Sequence, residues 1–260
     1  MMISDNLAIN DSVELRNIYN MNSIDSALRQ TLEEFLSMPV ENSQPIFDKF
    51  ISINNSIFRQ NSEEAKSRFV YIPGAREDRI VLVAHADTVF DDEYCCLTEK
   101  NTKYLNDENI YSMGSDDRAG CAMIWAFRES GNSILITDGE EIGGLGSKWI
   151  MEHNPDIADE INNHSFMIEL DRKNRNELKT YNVGTEAFTN YIKQKTGYAN
   201  AGKDSYTDIC TLCRDVCGVN ISVGYYKPHL ENSYVNFSEW LNTYYIISEL
   251  FKEFLPKYIR

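Results

Sequence analysis

The side chains best suited to hold divalent cations or to move protons fall in a few tight groups: His85 with Asp87, Asp116 with Asp117, Glu140 with Glu141, then Asp171 and His229. Each alone has an ordinary explanation. A histidine at a strand end is commonly just hydrogen-bonded, Asp116 or Asp117 suits a helix start, Glu140-Glu141 suits a solvated turn, and Asp171 suits a cap. As a set they meet the needs of two dications held about 3.5–4 Å apart, whose repulsion demands an anionic bridge. Asp116 is the candidate bridge, because one carboxylate can offer an oxygen to each ion. Each ion then needs a neutral imidazole and a further carboxylate, with one position left open. His85 and Asp171 would serve one ion, His229 and Glu141 the other. Asp87, two residues beyond His85 on an extended chain, points to the same side and can accept the second ring N–H. Glu140 adjoins a ligand without being needed as one, which frees it to act as general base and to return the proton to a leaving amine. Mixed nitrogen and oxygen ligation suits zinc best, with cobalt or manganese as substitutes.

These groups recur at one kind of position. Short apolar runs predict strands over 68–72, 79–84, 133–137, 165–170 and 218–223, and helical patterns lie between them over 116–127, 144–153, 185–195 and 207–216. Ahead of them, Ile24, Leu28, Leu32, Phe35 and Leu36 recur at helical spacing, and a second helix starts near Pro45 with Ile46, Phe47, Phe50 and Ile51. A last helix runs from about Phe237. Asn236 and Glu239 are spaced as a capping box, and Tyr244, Ile247, Phe251 and Phe254 lie on one stripe. The alternation predicts an α/β fold, a single three-layer domain with a mixed, mostly parallel sheet flanked by helices, and a helical N-terminal part (about 1–66) packed on it. Function in such folds collects beyond the carboxyl ends of the strands. His85-Ala86-Asp87 follows RIVLVA, Asp138-Gly139-Glu140-Glu141 follows SILIT, Asp171 follows SFMIEL, and His229 comes after VNISVGYYKP.

AHADTV, GSDDRAG, the Glu-Glu of DGEEIGGLGS, ELD and the late His of KPHLEN together resemble the motif series of the co-catalytic zinc exopeptidases. That superfamily includes tripeptide aminopeptidases, glutamyl-type and deep-blue-type aminopeptidases, and acyl-amino-acid deacylases. The resemblance runs from about residue 68 to the end of the chain, and DSYTDIC is similar to a family loop near the active site. It implies two zinc ions per chain and hydrolysis of an amide in a small peptide, an aminopeptidase ahead of an N-acyl amino acid hydrolase. One departure stands out. Many relatives insert a lid or dimerisation domain before the late histidine, yet only 57 residues (172–228) separate Asp171 from His229. That is too little for a further domain of the usual ~50 residues or more once two helices and a strand are placed. A single catalytic domain without a lid follows, with an active site complete in one chain, whether or not the protein forms homo-oligomers. Asp208 or Glu231 would then bind a substrate ammonium. Tyr206, Tyr225 or Tyr226 would donate to the oxyanion of the tetrahedral intermediate.

Composition narrows the partners. The chain has 260 residues and a formal net charge of −15, which disfavours nucleic acid. No run approaches the roughly 20 apolar residues needed to cross a bilayer. The start carries neither a basic nor an apolar leader segment, so the expected location is the cytoplasm. Six cysteines are expected as thiols. The Cys210, Cys213, Cys217 spacing reads as one face of a helix rather than a thiolate metal site, since no fourth ligand stands nearby. Two other readings remain open: a non-catalytic metal- or peptide-binding relative, against which the unneeded Glu140 argues, and a single-zinc cyclotransferase on the same fold, against which the full ligand set argues.

Overall fold

A computed structural model describes residues 23–90, 97–100, 103–106, 114–201, 205–230 and 232–260. Helix α1 (residues 23–36) buries Leu28, Leu32, Phe35 and Leu36, while Ile24 is exposed. Helix α2 (Gln44–Ile51) begins with Pro45 in its first turn and buries Ile46, Phe47 and Phe50. Then follow β1 (Ile57–Gln60), β2 (Arg68–Ile72), β3 (Val81–His85), β4 (Leu97–Lys100), β5 (Lys103–Asn106), α3 (Ser115–Ala126), β6 (Ser133–Thr137), α4 (Leu145–His153) and α5 (Pro155–Ile161). The chain continues through β7 (Met167–Arg172), β8 (Glu177–Lys179), α6 (Glu186–Thr196), β9 (Ala199–Asn200), α7 (Ile209–Leu212), β10 (Gly218–Ser222), β11 (Tyr225–Tyr226), β12 (Tyr234–Asn236) and α8 (Phe237–Leu250).

The main sheet has the order β1-β2-β6-β3-β7-β10-β8-β9. Its centre, β6-β3-β7-β10, is parallel, and antiparallel pairings join β1, β2 and β8 to it. Every residue of β2, β3, β6 and β10 is buried, as expected of largely apolar strands covered on both faces. The pleat sends alternate residues to opposite layers. Val70, Leu82, Ala84, Ile134 and Ile168 meet α1, α2, α3, α6 and α8, whereas Phe69, Val81, Val83, Leu135 and Met167 meet α4, α5 and α7. A second, antiparallel sheet has the order β11-β12-β5-β4.

Three expectations change. The helix expected over 207–216 is only the four residues of α7. Asn162 from the end of α5 takes its backbone: Nδ2 donates to Leu212 O at 2.9 Å, and Oδ1 accepts from the amides of Arg214 at 2.8 Å and Asp215 at 2.9 Å. Cys210, Cys213 and Cys217 therefore do not share a helix face; Cys213 and Cys217 are buried in the cores on opposite sides of the sheet. Phe254 lies past the end of α8 and is 75% exposed, so it leaves the predicted stripe. Half of the predicted capping box forms. Asn236 caps α8 by accepting from the Glu239 amide, while the Glu239 carboxylate accepts from Tyr226 instead. Cys95 and Cys96 lie outside the described residues.

Candidate metal centre and active site

The parallel strands end at the site. His85 closes β3, Asp171 is next to last in β7, and Glu140-Glu141 lie in the turn that follows β6. Asp116 enters from the start of α3, where neither it nor Asp117 has helical backbone angles. The two neighbours divide the roles that each could have taken. Asp117 is fully buried and accepts from the Gly120 amide at 2.9 Å, a helix-capping bond, which leaves Asp116 to face the cleft. Gly120 also sets how closely α3 approaches β7, for an added Cβ would stand 2.0 Å from Leu170 O. His229 arrives on the connection between β11 and β12, with φ at +61°.

Asp116 stands between two half-sites. Its Oδ1 is 3.2 Å from His85 Nε2, which is itself 3.5 Å from Asp171 Oδ1. Its Oδ2 is 3.3 Å from His229 Nε2, which is 3.0 Å from Glu141 Oε2. His85 is held from behind. Nδ1 lies 3.1 Å from the Asp87 carbonyl and 3.4 Å from its carboxylate. A carbonyl only accepts, so Nδ1 carries a proton and Nε2 is the nitrogen turned to the cleft, able to bind a cation once it is deprotonated. Asp87 Oδ1 also accepts from the Glu140 amide at 3.2 Å, tying the His85 loop to the Glu140 turn. Asp171 is fixed by Thr207 at 3.1 Å and by the Asn220 amide at 3.4 Å, both on Oδ2, while the Tyr225 hydroxyl donates to its carbonyl at 3.0 Å.

The charges are crowded in a way that a cation would relieve. Burial, then the nearby Asp116, pushes the Glu141 carboxyl up to about 7. Burial, then Asp116, pushes Asp171 up to about 6. Burial raises Glu140 to about 9, with Asp171, Asp208 and Asp116 adding to it and His85 opposing. Burial would lower the His85 imidazolium, but Asp116, Asp171 and Asp87 outweigh it and hold it well above its ordinary value. Glu141 Oε1 is buried without a hydrogen-bond partner. His85, Asp116 and Glu141 offer ligand atoms all within 4.8 Å of one another, and so do His85, Asp117 and Asp171. The donor set, two imidazoles and several carboxylates around a shared aspartate, fits two divalent cations.

A cavity of about 170 Å³ opens on these groups. Of the substrate-contacting candidates among the described residues, Tyr206 and Tyr225 line it and Asp208 and Tyr226 do not. Tyr206 is 44% exposed and pairs with Thr211 at 2.6 Å, its hydroxyl standing over Gly144. The Tyr225 hydroxyl is committed to Asp171. Tyr226 turns away, stacked on Tyr234 and donating to Glu239. Asp208 is fully buried and accepts from the Thr137 hydroxyl beneath the site. Glu231 lies outside the described residues. Sequence reasoning missed Tyr181, Asn220, Ser205, Arg172 and Lys173, all of which line the cavity. Asn220 had a signal, a polar residue inside the apolar strand VNISV. Tyr181, with φ at +47°, had none.

No family model and no curated protein matches this chain. Solved structures do. Aminopeptidase PepT from Bacillus cereus superposes with a TM-score of 0.66 at 14% identity, over 88% of this chain and 98% of that one. A tripeptidase from Staphylococcus aureus gives 0.67 at 14% identity, over 88% and 99%. An aminopeptidase from the archaeon Desulfurococcus kamchatkensis gives 0.61 at 12% identity, over 87% and 95%. The chain thus has the α/β fold of solved aminopeptidases and a tripeptidase, as the five sequence motifs had implied.

Proposed function

We propose that this protein is a metal-dependent exopeptidase, an aminopeptidase acting on small peptides with two zinc ions. The observation that carries the reading is Asp116, whose two oxygens face two separate histidine-carboxylate pairs. His85 and Asp171 would hold one ion, His229 and Glu141 the other, with Asp116 shared. When bound, such ions supply Lewis acidity, polarising a carbonyl and lowering the pKa of water. The chain's own residues do the rest. Asp87 keeps the His85 tautomer fixed. Glu140, half-buried beside the ligands and needed by neither half-site, would be deprotonated where two dications offset the carboxylates that raise it, and it then takes the proton of the attacking water and hands it to the leaving nitrogen as the C–N bond breaks. A binding module would gain nothing from a carboxylic acid in that place. All these residues come from one chain, which supports a site complete without a lid or a partner subunit.

The experiment is metal analysis of protein purified without chelator, followed by hydrolysis assays on a short peptide and on its N-acetylated form. About two ions per chain and cleavage of the free peptide alone are expected. Occupancy that stays at one ion after zinc soaking removes the dinuclear reading, and cleavage of only the acetylated peptide replaces the aminopeptidase with an N-acyl amino acid hydrolase.

A further inference from the structure

The cavity has two chemically different ends. One carries Asp116, Glu140, Glu141 and Asp171, whose charge two dications would offset. The other is a wall of donors that starts at a proposed ligand and runs away from it. Asn220 Nδ2 is 3.4 Å from Asp171 Oδ2 and 3.4 Å from the Tyr181 hydroxyl. The Ser205 hydroxyl is 3.5 Å from that of Tyr181, and Lys179 Nζ is 3.2 Å from Ser205 Oγ. Lys173 lines the same cavity. Arg172 does too, but its guanidinium is taken by Glu177 at 2.9 Å and 3.1 Å.

Lys179 is the unusual member. It is only 8% exposed, its ammonium lies 4.8 Å from the Tyr181 ring centroid, and its hydrogen-bond acceptor is a neutral hydroxyl. Among the described residues no carboxylate oxygen lies within 4 Å of it. Glu169 and Lys179 flank Asn220 in one cross-strand row, yet neither Glu169 oxygen comes that close. Among the described residues its charge is therefore met by a hydroxyl and an aromatic ring rather than by a carboxylate. Lys179 stands behind the cavity lining, bonded to Ser205, so an anion arriving in the cavity would meet the Tyr181 and Ser205 hydroxyls with an ammonium behind them, an arrangement that strengthens such hydrogen bonds.

We infer that the wall formed by Tyr181, Ser205 and Asn220, backed by Lys179 and with Lys173 at its mouth, binds a substrate carboxylate close to the scissile amide. Asn220 touches both Asp171 and Tyr181, so the anion sits about one residue from the cleaved bond. Two substrates offer that chemistry: a dipeptide through its α-carboxylate, and a longer peptide through an N-terminal aspartate or glutamate side chain. This inference rests on the exopeptidase reading of the same site and narrows its substrates.

The test uses binding, so that it does not depend on turnover. Ketomethylene dipeptide isosteres, in which a carbon replaces the scissile nitrogen, are titrated calorimetrically into zinc-loaded protein. One pair differs only in a terminal carboxylate or carboxamide, the other only in a first-position Glu or Gln side chain with the terminus amidated. At least one anionic member is expected to bind ~10-fold or more tightly than its neutral twin. The terminal pair responding alone identifies dipeptides, and the side-chain pair responding alone identifies acidic N-termini. Lys179→Met should erase the difference and Lys179→Arg should keep part of it. Tyr181→Phe and Lys173→Gln, each expected to reduce it, stand in if Lys179→Met does not fold. Equal binding within both pairs, or a preference that survives in the folded variants, overturns the inference. Hydrolysis of free and amidated peptides is followed in parallel. Cleavage without any carboxylate preference sinks this inference alone, whereas carboxylate-selective binding without cleavage sinks the peptidase reading alone.

Discussion

Asp116 and His229 are far apart in the chain, yet Asp116 Oδ2 stands 3.3 Å from His229 Nε2 while its other oxygen faces His85. This makes the two proposed sites separable by mutation. His229→Ala removes a ligand from one half-site and leaves His85, Asp116 and Asp171 in place. It is expected to bind about one ion per chain. Asp116→Ala removes the shared group and should bring both affinities down together. Elemental analysis after dialysis against limiting zinc reads the stoichiometry. Two ions retained in His229→Ala would place the second ion elsewhere.

Glu140 and Glu141 are adjacent but should fail differently. Glu140→Gln keeps the shape and cannot accept a water proton at neutral pH. A general base of this kind typically contributes on the order of 10²–10⁴ in rate. The variant is therefore expected to hold its metal and lose that factor in kcat. Glu141→Gln should lose metal first, with part of its activity returning in excess zinc. The comparison needs metal content and kcat on the same preparations. Wild-type kcat in Glu140→Gln would end its assignment as the base.

Zinc should stabilise the protein, and more so at higher pH. Without a cation, burial and neighbouring carboxylates raise Glu141 to about 7 and Asp171 to about 6. Their unfolded values lie lower, so between them the unfolded chain has released protons that the folded one retains. Stability is present below the unfolded pKa and is lost as pH rises through the folded one. His85 and His229, also raised, act in the same direction. Zinc needs these groups deprotonated, so its advantage grows over the same window. The melting temperature with zinc should exceed that with chelator by roughly 5–15 °C at pH 8, and by clearly less at pH 5.5. A gap independent of pH would mean that these ligands do not titrate in the metal-free protein.

Much of the candidate site was legible in the sequence because side chains able to hold metal fall at strand ends, and strand ends are readable from apolar runs. RIVLVA became β3 with His85 as its last residue, and SILIT became β6. What escaped was set by tertiary contact. Asn162 ends α7 from another element, and Asp117 takes the cap that could equally have gone to Asp116. Tyr225 looked free by position, but its hydroxyl is spent on Asp171. The substrate wall joins β8, β10 and the loop before α7, segments with no shared motif, so only the folded chain brings Lys179, Ser205 and Asn220 together.

Asp138 opens the turn that carries Glu140 and Glu141, and it is fully buried. Arg68 Nε donates to its Oδ2 at 2.6 Å, and the Ser43 hydroxyl donates to the same oxygen at 2.7 Å. Lys66 approaches Oδ1 at 3.4 Å, and the Gly139 amide donates to it at 3.0 Å. The Arg68 guanidinium lies 4.4 Å from the centre of the Phe47 ring, so the cluster clamps α2 to the turn that carries Glu140 and Glu141. Removing one partner of a buried pair leaves the other charge without compensation, at about 3–5 kcal/mol. Asp138→Ala is expected to lose that much stability in urea unfolding. It should also lower zinc affinity at the Glu141 half-site, because the turn is no longer pinned. Replacing both charges, as in Arg68→Met with Asp138→Leu, should recover much of the stability, since well-packed apolar groups of similar volume often match a buried ion pair. Zinc affinity should recover less, because the Gly139 amide still lacks its acceptor. If Asp138→Ala unfolds at the wild-type midpoint, the clamp contributes nothing, and the turn holds its shape through backbone bonds such as Gly144 N to Gly139 O at 2.9 Å.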